Sequence, residues 1–116
     1  MASPNKIKTN RIQIRVFRND KGFVYRVVGR EHSQSFVCAA VSALMINAYN
    51  SVKALTQAEV VEEHNEEGGF LDFTLPDVRD GAEERDAALL LESLLLGLRG
   101  VAEEYEGSVC IEEINK

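Results

Sequence analysis

The thiol of Cys38 is the side chain in this sequence best suited to nucleophilic chemistry. It lies in the segment SQSFVCAAVSAL, and a histidine, His32, precedes it across a short polar loop. A thiolate and an imidazole together suit acyl transfer, because the thiolate attacks a carbonyl carbon and the imidazole protonates the leaving group. The alternative is that Cys38 is a small apolar side chain packed in a core and that His32 is a solvated loop residue. The residues alone leave both interpretations open.

The sequence predicts that Cys38 lies in a helix. Ser35 is a good N-cap, and the helix that it opens is predicted from Phe36 to Leu55. Cys38 then falls in the first turn, where free backbone N–H groups and the helix dipole favour an anion, so we expect a lowered thiol pKa. Ser42 lies four residues later and shares a face with Cys38. The apolar stripe that supports this helix consists of Val37, Val41, Leu44, Ala48, Val52 and Leu55.

The remaining elements follow from apolar alternation and from turn signals. Residues 11–18 and 23–29 predict a hairpin, residues 59–63 and 70–75 predict a second one around Gly68 and Gly69, and residues 108–114 predict a last strand. A loop at 77–81, with Asp80 as a candidate cap, leads to a second helix at 82–105. The order strand-strand-helix-strand-strand-helix-strand predicts an α+β fold, a two-layer sandwich with two helices packed on a mixed or largely antiparallel sheet.

The second predicted helix is apolar around most of its circumference. Its main seam consists of Ala87, Leu91, Leu94, Leu98, Val101 and Tyr105. Leu89, Leu95 and Leu96 lie outside that seam, so we expect the helix to be covered on a second side, by the first helix or by another subunit. Gly97 and Gly100 each cost a helix about 1 kcal/mol relative to alanine, and either close packing or a bend or break in the helix would explain them.

Composition limits the classes of function. The 116 residues fit a polar N-terminal tail (residues 1–10) and one domain (residues 11–116). The net charge of −6 argues against direct nucleic-acid binding, which needs a surplus of Lys and Arg, and it suits a basic partner. The tail has no apolar core, and the leucine cluster is too short to span a bilayer. We therefore expect a soluble cytoplasmic protein with two free thiols and no membrane association.

No cofactor or metal site is predicted. His64 lies among glutamates in EVVEEHNEEGG, but zinc prefers more nitrogen and sulfur ligands, so we expect a solvated hairpin tip there. Cys110 alternates along the last predicted strand, which indicates a packed thiol. The sequence holds no glycine-rich phosphate loop and no serine-nucleophile elbow.

The segment FVCAAVSAL, preceded by a strand that ends in glycine, resembles the ribosomal-processing cysteine protease family, Prp. The family pattern has a Gly-His pair at the end of the second strand, then a loop, an acidic residue and Cys-Ala-Ala/Gly-x-Ser at a helix start. Cys38, Ala39, Ala40 and Ser42 match the last segment, and Gly29 matches the glycine. The likeness extends from Arg11 through the leucine-rich helix to the final strand.

The resemblance implies a role for each matched residue. Cys38 would be the nucleophile of an endopeptidase that removes a short N-terminal extension from a large-subunit ribosomal protein, usually as a homodimer. Ser42 would support the site by hydrogen bonding, or is an ordinary helix serine. Arg30 stands where the family has histidine, so His32 would serve from a shortened loop. Ser35 replaces the acidic residue, and Glu31 is a weaker substitute carboxylate.

These departures leave two functions open. In the first, the chain is an active cysteine protease that uses a Cys38–His32 dyad. In the second, it is a catalytically degenerate relative that keeps the fold and the dimer and acts as a ribosome-associated binding or assembly factor.

Overall fold

Alternating apolar residues build the first hairpin of the structure, a computed structural model that describes residues 11–30, 36–63 and 71–116. Strand β1 (Ile12–Arg18) buries every second side chain in its first half, as the sequence predicts. The turn ends at Gly22, whose φ of 88° lies in the left-handed region that favours glycine. Strand β2 (Val24–Arg30) returns antiparallel to β1.

Five strands form one sheet. The later strands are β3 (Val61–Glu62), β4 (Leu71–Thr74) and β5 (Val109–Asn115), and the order across the sheet is β3-β4-β2-β1-β5. Strand β5 runs parallel to β1, whereas every other neighbouring pair is antiparallel. The sheet is therefore mixed, as predicted.

Two long helices pack side by side on one face of this sheet. They are α1 (Phe36–Leu55), which has the predicted bounds, and α3 (Arg85–Glu104). The helices run antiparallel, because the Phe36 ring at the start of α1 contacts the Tyr105 ring just beyond α3, with centroids 5.2 Å apart. Their buried side chains join those of β1, β2 and β4 in one core. The predicted α+β two-layer sandwich is thus confirmed.

The predicted loop at 77–81 contains a short helix instead, α2 (Pro76–Arg79). Proline suits the first turn of a helix because its φ is already helical and its missing N–H has no role there. Asp80 ends this helix, so the prediction that Asp80 caps the next helix is wrong. Helix α3 begins later than predicted, after Glu84, whose side chain makes no capping hydrogen bond.

The buried side of α1 differs from the predicted stripe at three positions. Met45 is fully buried, although the stripe omitted it. Leu44 is only partly buried and packs against α3. Leu55, the last residue of the helix, is 70% exposed.

The predicted close packing of α3 is confirmed at one of its two glycines. A Cβ added at Gly97 would lie 3.2 Å from both Leu44 methyl carbons, so this glycine permits a close approach of the two helices. Gly100 has nothing within 4 Å of such a Cβ, so close packing within the described chain does not explain it. Leu95 is fully buried, whereas Leu89 and Leu96 point outward and are 70% and 69% exposed.

Cys110 is exposed, so the prediction of a packed thiol is wrong. It lies on β5, an edge strand, opposite Gln13 on the side of the sheet that carries no helix. Val109 and Ile111, its neighbours, take the positions that face the core. Among the described helices, none has the length and apolar character needed to cross a membrane. The predicted tail at 1–10 and the glycines at 68 and 69 lie outside the described residues.

Candidate active site

Cys38 is the third residue of α1, as predicted, and therefore lies in the first turn of the helix. Its side chain is half-buried and packs against the edge of the hydrophobic core. The first four N–H groups of a helix have no partner within the helix, so they can stabilise an anion that forms beside them. The first turn of α1 holds no acidic side chain that would oppose this effect.

Contacts along α1 show which side of the helix carries Cys38. Leu44 faces α3, where it approaches Gly97. Tyr49 faces the opposite way, and its ring lies 5.8 Å from the ring of Phe73 in β4. Cys38, Ser42 and Tyr49 fall on one side of a helix of 3.6 residues per turn. The thiol therefore belongs to the side of α1 that looks toward β4 and away from α3.

Gly29 lies near the end of β2, the strand that precedes α1 in the chain. It pairs with Ile14 on one side and with Leu71 on the other, and both partners are buried core residues on the helix side. Gly29 is itself buried, so the sheet presents backbone rather than a side chain at this position. The end of β2 therefore lies beside the start of β4.

Arg30, which occupies the place of the family histidine, belongs to the other side of the sheet. It pairs with Gln13, whose exposed side chain projects away from the helices. Successive positions of a strand face opposite sides of the sheet. Gly29 is at a position on the helix side, so Arg30 is on the helix-free side. By this register the Arg30 side chain does not lie between the sheet and Cys38.

Ser42 is half-buried one turn after Cys38. None of the described residues provides a hydrogen-bond partner for its hydroxyl. Tyr49 and Lys53 continue the same side of the helix, and the Lys53 ammonium lies 5.2 Å from the centre of the Tyr49 ring. The sequence analysis missed Tyr49. This residue follows Cys38 by three helical turns and Ser42 by two, so the spacing alone would have placed it on the same side of the helix.

The buried carboxylate of Asp72 is on the face of the sheet opposite the helices and does not face Cys38. It follows Leu71 in β4 and faces the helix-free side, where it accepts hydrogen bonds from Arg26 at 3.0 and 2.8 Å. This hydrogen bonding raises the pKa of Arg26. Because Asp72 is satisfied by an arginine on the opposite face, it cannot serve as the acid that orients a catalytic imidazole.

His32, Ser35 and Glu31 lie outside the described residues, as does His64 in the second hairpin. Of the predicted site residues, the structure places Cys38 and Ser42 one turn apart in α1 and Gly29 near the end of β2, the strand that precedes this helix in the chain. Within residues 11–30, 36–63 and 71–116 no group of three or more metal-ligating side chains occurs.

Comparison with known proteins identifies the family of this fold and site. The sequence model of the family described as cysteine protease Prp matches residues 11–110. The chain belongs to the Prp family of cysteine proteases. The ribosomal processing cysteine protease Prp of Bacillus subtilis (strain 168) is 31% identical over 96 residues, which cover 78% of this chain and 86% of that protein.

Solved Prp structures have the same fold. The Prp protease of Staphylococcus aureus in complex with a covalently linked product peptide superposes with a TM-score of 0.76 at 25% identity, over 88% of this chain and 98% of that one. The same S. aureus protease with a substrate peptide gives a TM-score of 0.73 at 23% identity, over 88% and 98% of the two chains. The Prp resemblance seen in the sequence is confirmed.

Proposed function

We propose that this chain is a cysteine endopeptidase that removes a short N-terminal extension from a large-subunit ribosomal protein. The observation that carries the proposal is the position of Cys38, in a Cys-Ala-Ala-x-Ser segment at the first turn of α1, within a chain of the Prp family. The B. subtilis relative is named for ribosomal processing, and the S. aureus relative was solved with a covalently linked product peptide.

The proposed reaction proceeds through an acyl-enzyme. The Cys38 thiolate attacks the scissile carbonyl carbon, and the carbonyl oxygen becomes an oxyanion that N–H groups at the start of α1 can stabilise. Collapse of this intermediate breaks the C–N bond, and the leaving amine takes a proton from the His32 imidazolium. His32, now neutral, removes a proton from water, which attacks the thioester and releases the new carboxylate and the Cys38 thiol.

The proposed substrate suits the charge of the chain. Ribosomal proteins that contact RNA are rich in Lys and Arg, because they neutralise phosphates. This chain has 19 acidic and 13 basic residues, so it attracts such a substrate. We place this processing in the cytoplasm, with a homodimer as the working form. The homodimer is supported by the exposed leucines on the outer side of α3.

A matched set of variants tests the proposal, because the chain contains two cysteines and two histidines. The assay follows cleavage of the organism's own extended ribosomal protein by mass spectrometry. Cys38→Ser and His32→Ala should each reduce kcat/KM by at least about a thousandfold. Cys110→Ser and His64→Ala should leave cleavage unchanged. Unchanged cleavage in the His32 variant would remove that residue from the mechanism.

A degenerate family member is the second candidate function. Arg30 and Ser35 favour it, because they replace the histidine and the acidic residue of the family pattern. Such a chain would bind the extended ribosomal protein without cutting it. It would show saturable binding of the precursor by the wild type, no cleavage at any pH, and a binding constant that Cys38→Ser does not change.

Alkylation separates the two candidates without a substrate. An active site requires a reactive thiol, so iodoacetamide should modify half-buried Cys38 faster than exposed Cys110. In a degenerate chain exposure alone would govern the rates, and Cys110 would react first. Peptide mass spectrometry of timed samples measures both rates in the same molecule, and the Cys38→Ala variant gives the rate of Cys110 by itself.

A further inference from the structure

A polar cavity of about 240 Å³ lies away from Cys38, where β2, β4 and α2 meet. The side chains that line it are Tyr25, Arg26, Glu63, Thr74 and Arg79. Arg26 and Thr74 pair across β2 and β4, and the positions after and before them, Val27 and Phe73, belong to the core. Arg26 and Thr74 therefore face away from the two long helices, on the side of the sheet opposite α1.

Two buried hydroxyls in this cavity lack partners. The side chains of Thr74 and Tyr25 belong to residues that are only 3% and 8% exposed, and neither hydroxyl forms a hydrogen bond with a described residue. The other buried polar side chains in the described part of the chain, Asn19 and Asp72, both have partners. Buried polar groups are normally hydrogen-bonded, so these two hydroxyls are suited to a bound molecule.

Both arginines of the cavity keep part of their hydrogen-bonding capacity. Arg26 donates to Asp72 through Nε and Nη2, and Arg79 donates to Asp80 through Nε alone, at 3.3 Å. Among the described residues, nothing accepts a hydrogen bond from either Nη group of Arg79. A guanidinium binds a carboxylate through two parallel N–H groups. Arg79 is therefore the natural partner for a ligand carboxylate.

Glu63 gives the same cavity an acidic group. It is exposed and forms no ion pair with any residue that the structure describes. A ligand with only a negative charge would meet this carboxylate, and a ligand with only a positive charge would meet the guanidiniums of Arg26 and Arg79. A small molecule that carries both charges satisfies both kinds of group.

We propose that this cavity binds a free α-amino acid. The ligand carboxylate accepts hydrogen bonds from the Nη groups of Arg79 and from the Tyr25 hydroxyl. The ligand ammonium donates to the Glu63 carboxylate and to the Thr74 hydroxyl. A cavity of about 150 Å³ holds benzene, so one of about 240 Å³ accommodates a molecule of amino-acid size. The terminus of a protein is a poorer occupant, because it carries only one of the two charges.

NMR titration of the full chain with single common amino acids at millimolar concentration tests the site. At least one of them should shift the Arg79 Nε–H signal in a saturable way, whereas acetate and methylamine, which carry one charge each, should not. Arg79→Met and Thr74→Val should each raise the dissociation constant, measured by calorimetry, at least about tenfold. Arg15→Met is the matched control, because Arg15 is 46% exposed and also pairs with one acid, Glu112.

The stability of Thr74→Val separates a binding role from a structural one. This variant replaces a hydroxyl without a described partner by a methyl group of similar size, so the free chain should unfold at the same or a higher urea concentration. A lower urea midpoint would show that the hydroxyl supports the fold and would overturn the assignment. The absence of a shift with every amino acid, binding that survives Arg79→Met, or equal binding of acetate would also overturn it. Cleavage by Cys38 is scored separately, since the proposed ligand site does not depend on it.

Discussion

Arg18 in β1 forms a two-point ion pair with Glu92 in α3. Its Nη1 donates to Glu92 Oε2 at 2.7 Å, and its Nη2 donates to Glu92 Oε1 at 3.3 Å. The same guanidinium donates through Nε to Glu113 in β5 at 2.8 Å. These hydrogen bonds, first that to Glu92 and then that to Glu113, raise the pKa of Arg18. One half-buried arginine thus connects the two sheet strands of the parallel pair to the helix above them.

Replacing this arginine should destabilise the fold. The Arg18 side chain is only 18% exposed, so Arg18→Met removes charge-assisted hydrogen bonds that water does not fully replace. Because the Glu92 side chain is 46% exposed, we expect a loss of about 1–2 kcal/mol in the free energy of unfolding, measured with urea. Arg79→Met is the control, since Arg79 is exposed and its only ion-pair partner among the described residues is its neighbour Asp80, and it should cost less than about 0.5 kcal/mol. Equal losses in the two variants would contradict this account.

Glu113 should make part of the stability dependent on pH. Its hydrogen bond from Arg18, with further attraction from Arg18 and Arg99, holds the pKa of Glu113 below its usual value. A carboxyl group whose pKa is lower in the folded than in the unfolded state stabilises the fold above the unfolded value, near 4.3. That stability is lost as the pH falls through the folded pKa.

Urea unfolding of wild type and Glu113→Gln at several pH values measures this contribution. The difference between the two should be largest at neutral pH and should shrink as the pH falls below about 4. Glu106→Gln is the control, because Glu106 is exposed and forms no ion pair with a described residue. A difference for Glu113→Gln that stays constant down to strongly acidic pH would contradict the prediction.

The two glycines of α3 should respond differently to the same substitution. Gly97→Leu forces a side chain into the space of Leu44, which already lies 3.2 Å from an added Cβ, so we expect a loss of about 1–3 kcal/mol. Gly100→Leu meets no described atom within 4 Å and gains helix propensity, so the monomer should be up to about 1 kcal/mol more stable. Thermal unfolding at low protein concentration, where the monomer predominates, compares them. If Gly100→Leu lost more stability than Gly97→Leu, the conclusion that Gly97 is the tightly packed glycine would be wrong.

Long, regular patterns made most of this fold predictable from the sequence. Helix α1 has the predicted bounds, because a 20-residue apolar stripe is an unambiguous signal. Helix α2 was missed and a loop was predicted at 77–81, since four residues are too few to show a period. The exposure of Cys110 was also missed, because an alternating pattern does not tell an edge strand from a central one.

The site was predictable only in part. The four-residue spacing placed Cys38 and Ser42 on one face of α1, and the structure agrees. This face is directed toward β4, where Tyr49 contacts Phe73. Its direction depends on the rotation of α1 about its own axis relative to α3, and a local sequence pattern does not determine that rotation. The roles of Cys38, His32, Ser35, Ser42 and Gly29 remain predictions.

Ser42 provides the sharpest test of a supporting role. If its hydroxyl hydrogen bonds within the active site, Ser42→Ala should lower kcat about fivefold to tenfold with little change in KM, which corresponds to one hydrogen bond. Ser51 is the matched control, because it is also half-buried in α1 but faces α3 beside Leu44 and Leu90. Ser51→Ala should leave kcat unchanged. If both variants cleave the extended ribosomal protein like the wild type and unfold at the same urea concentration, Ser42 is an ordinary helix serine. Ser42→Thr, which keeps the hydroxyl, should recover most of the lost rate, and a failure to do so would indicate that the alanine variant acts through packing.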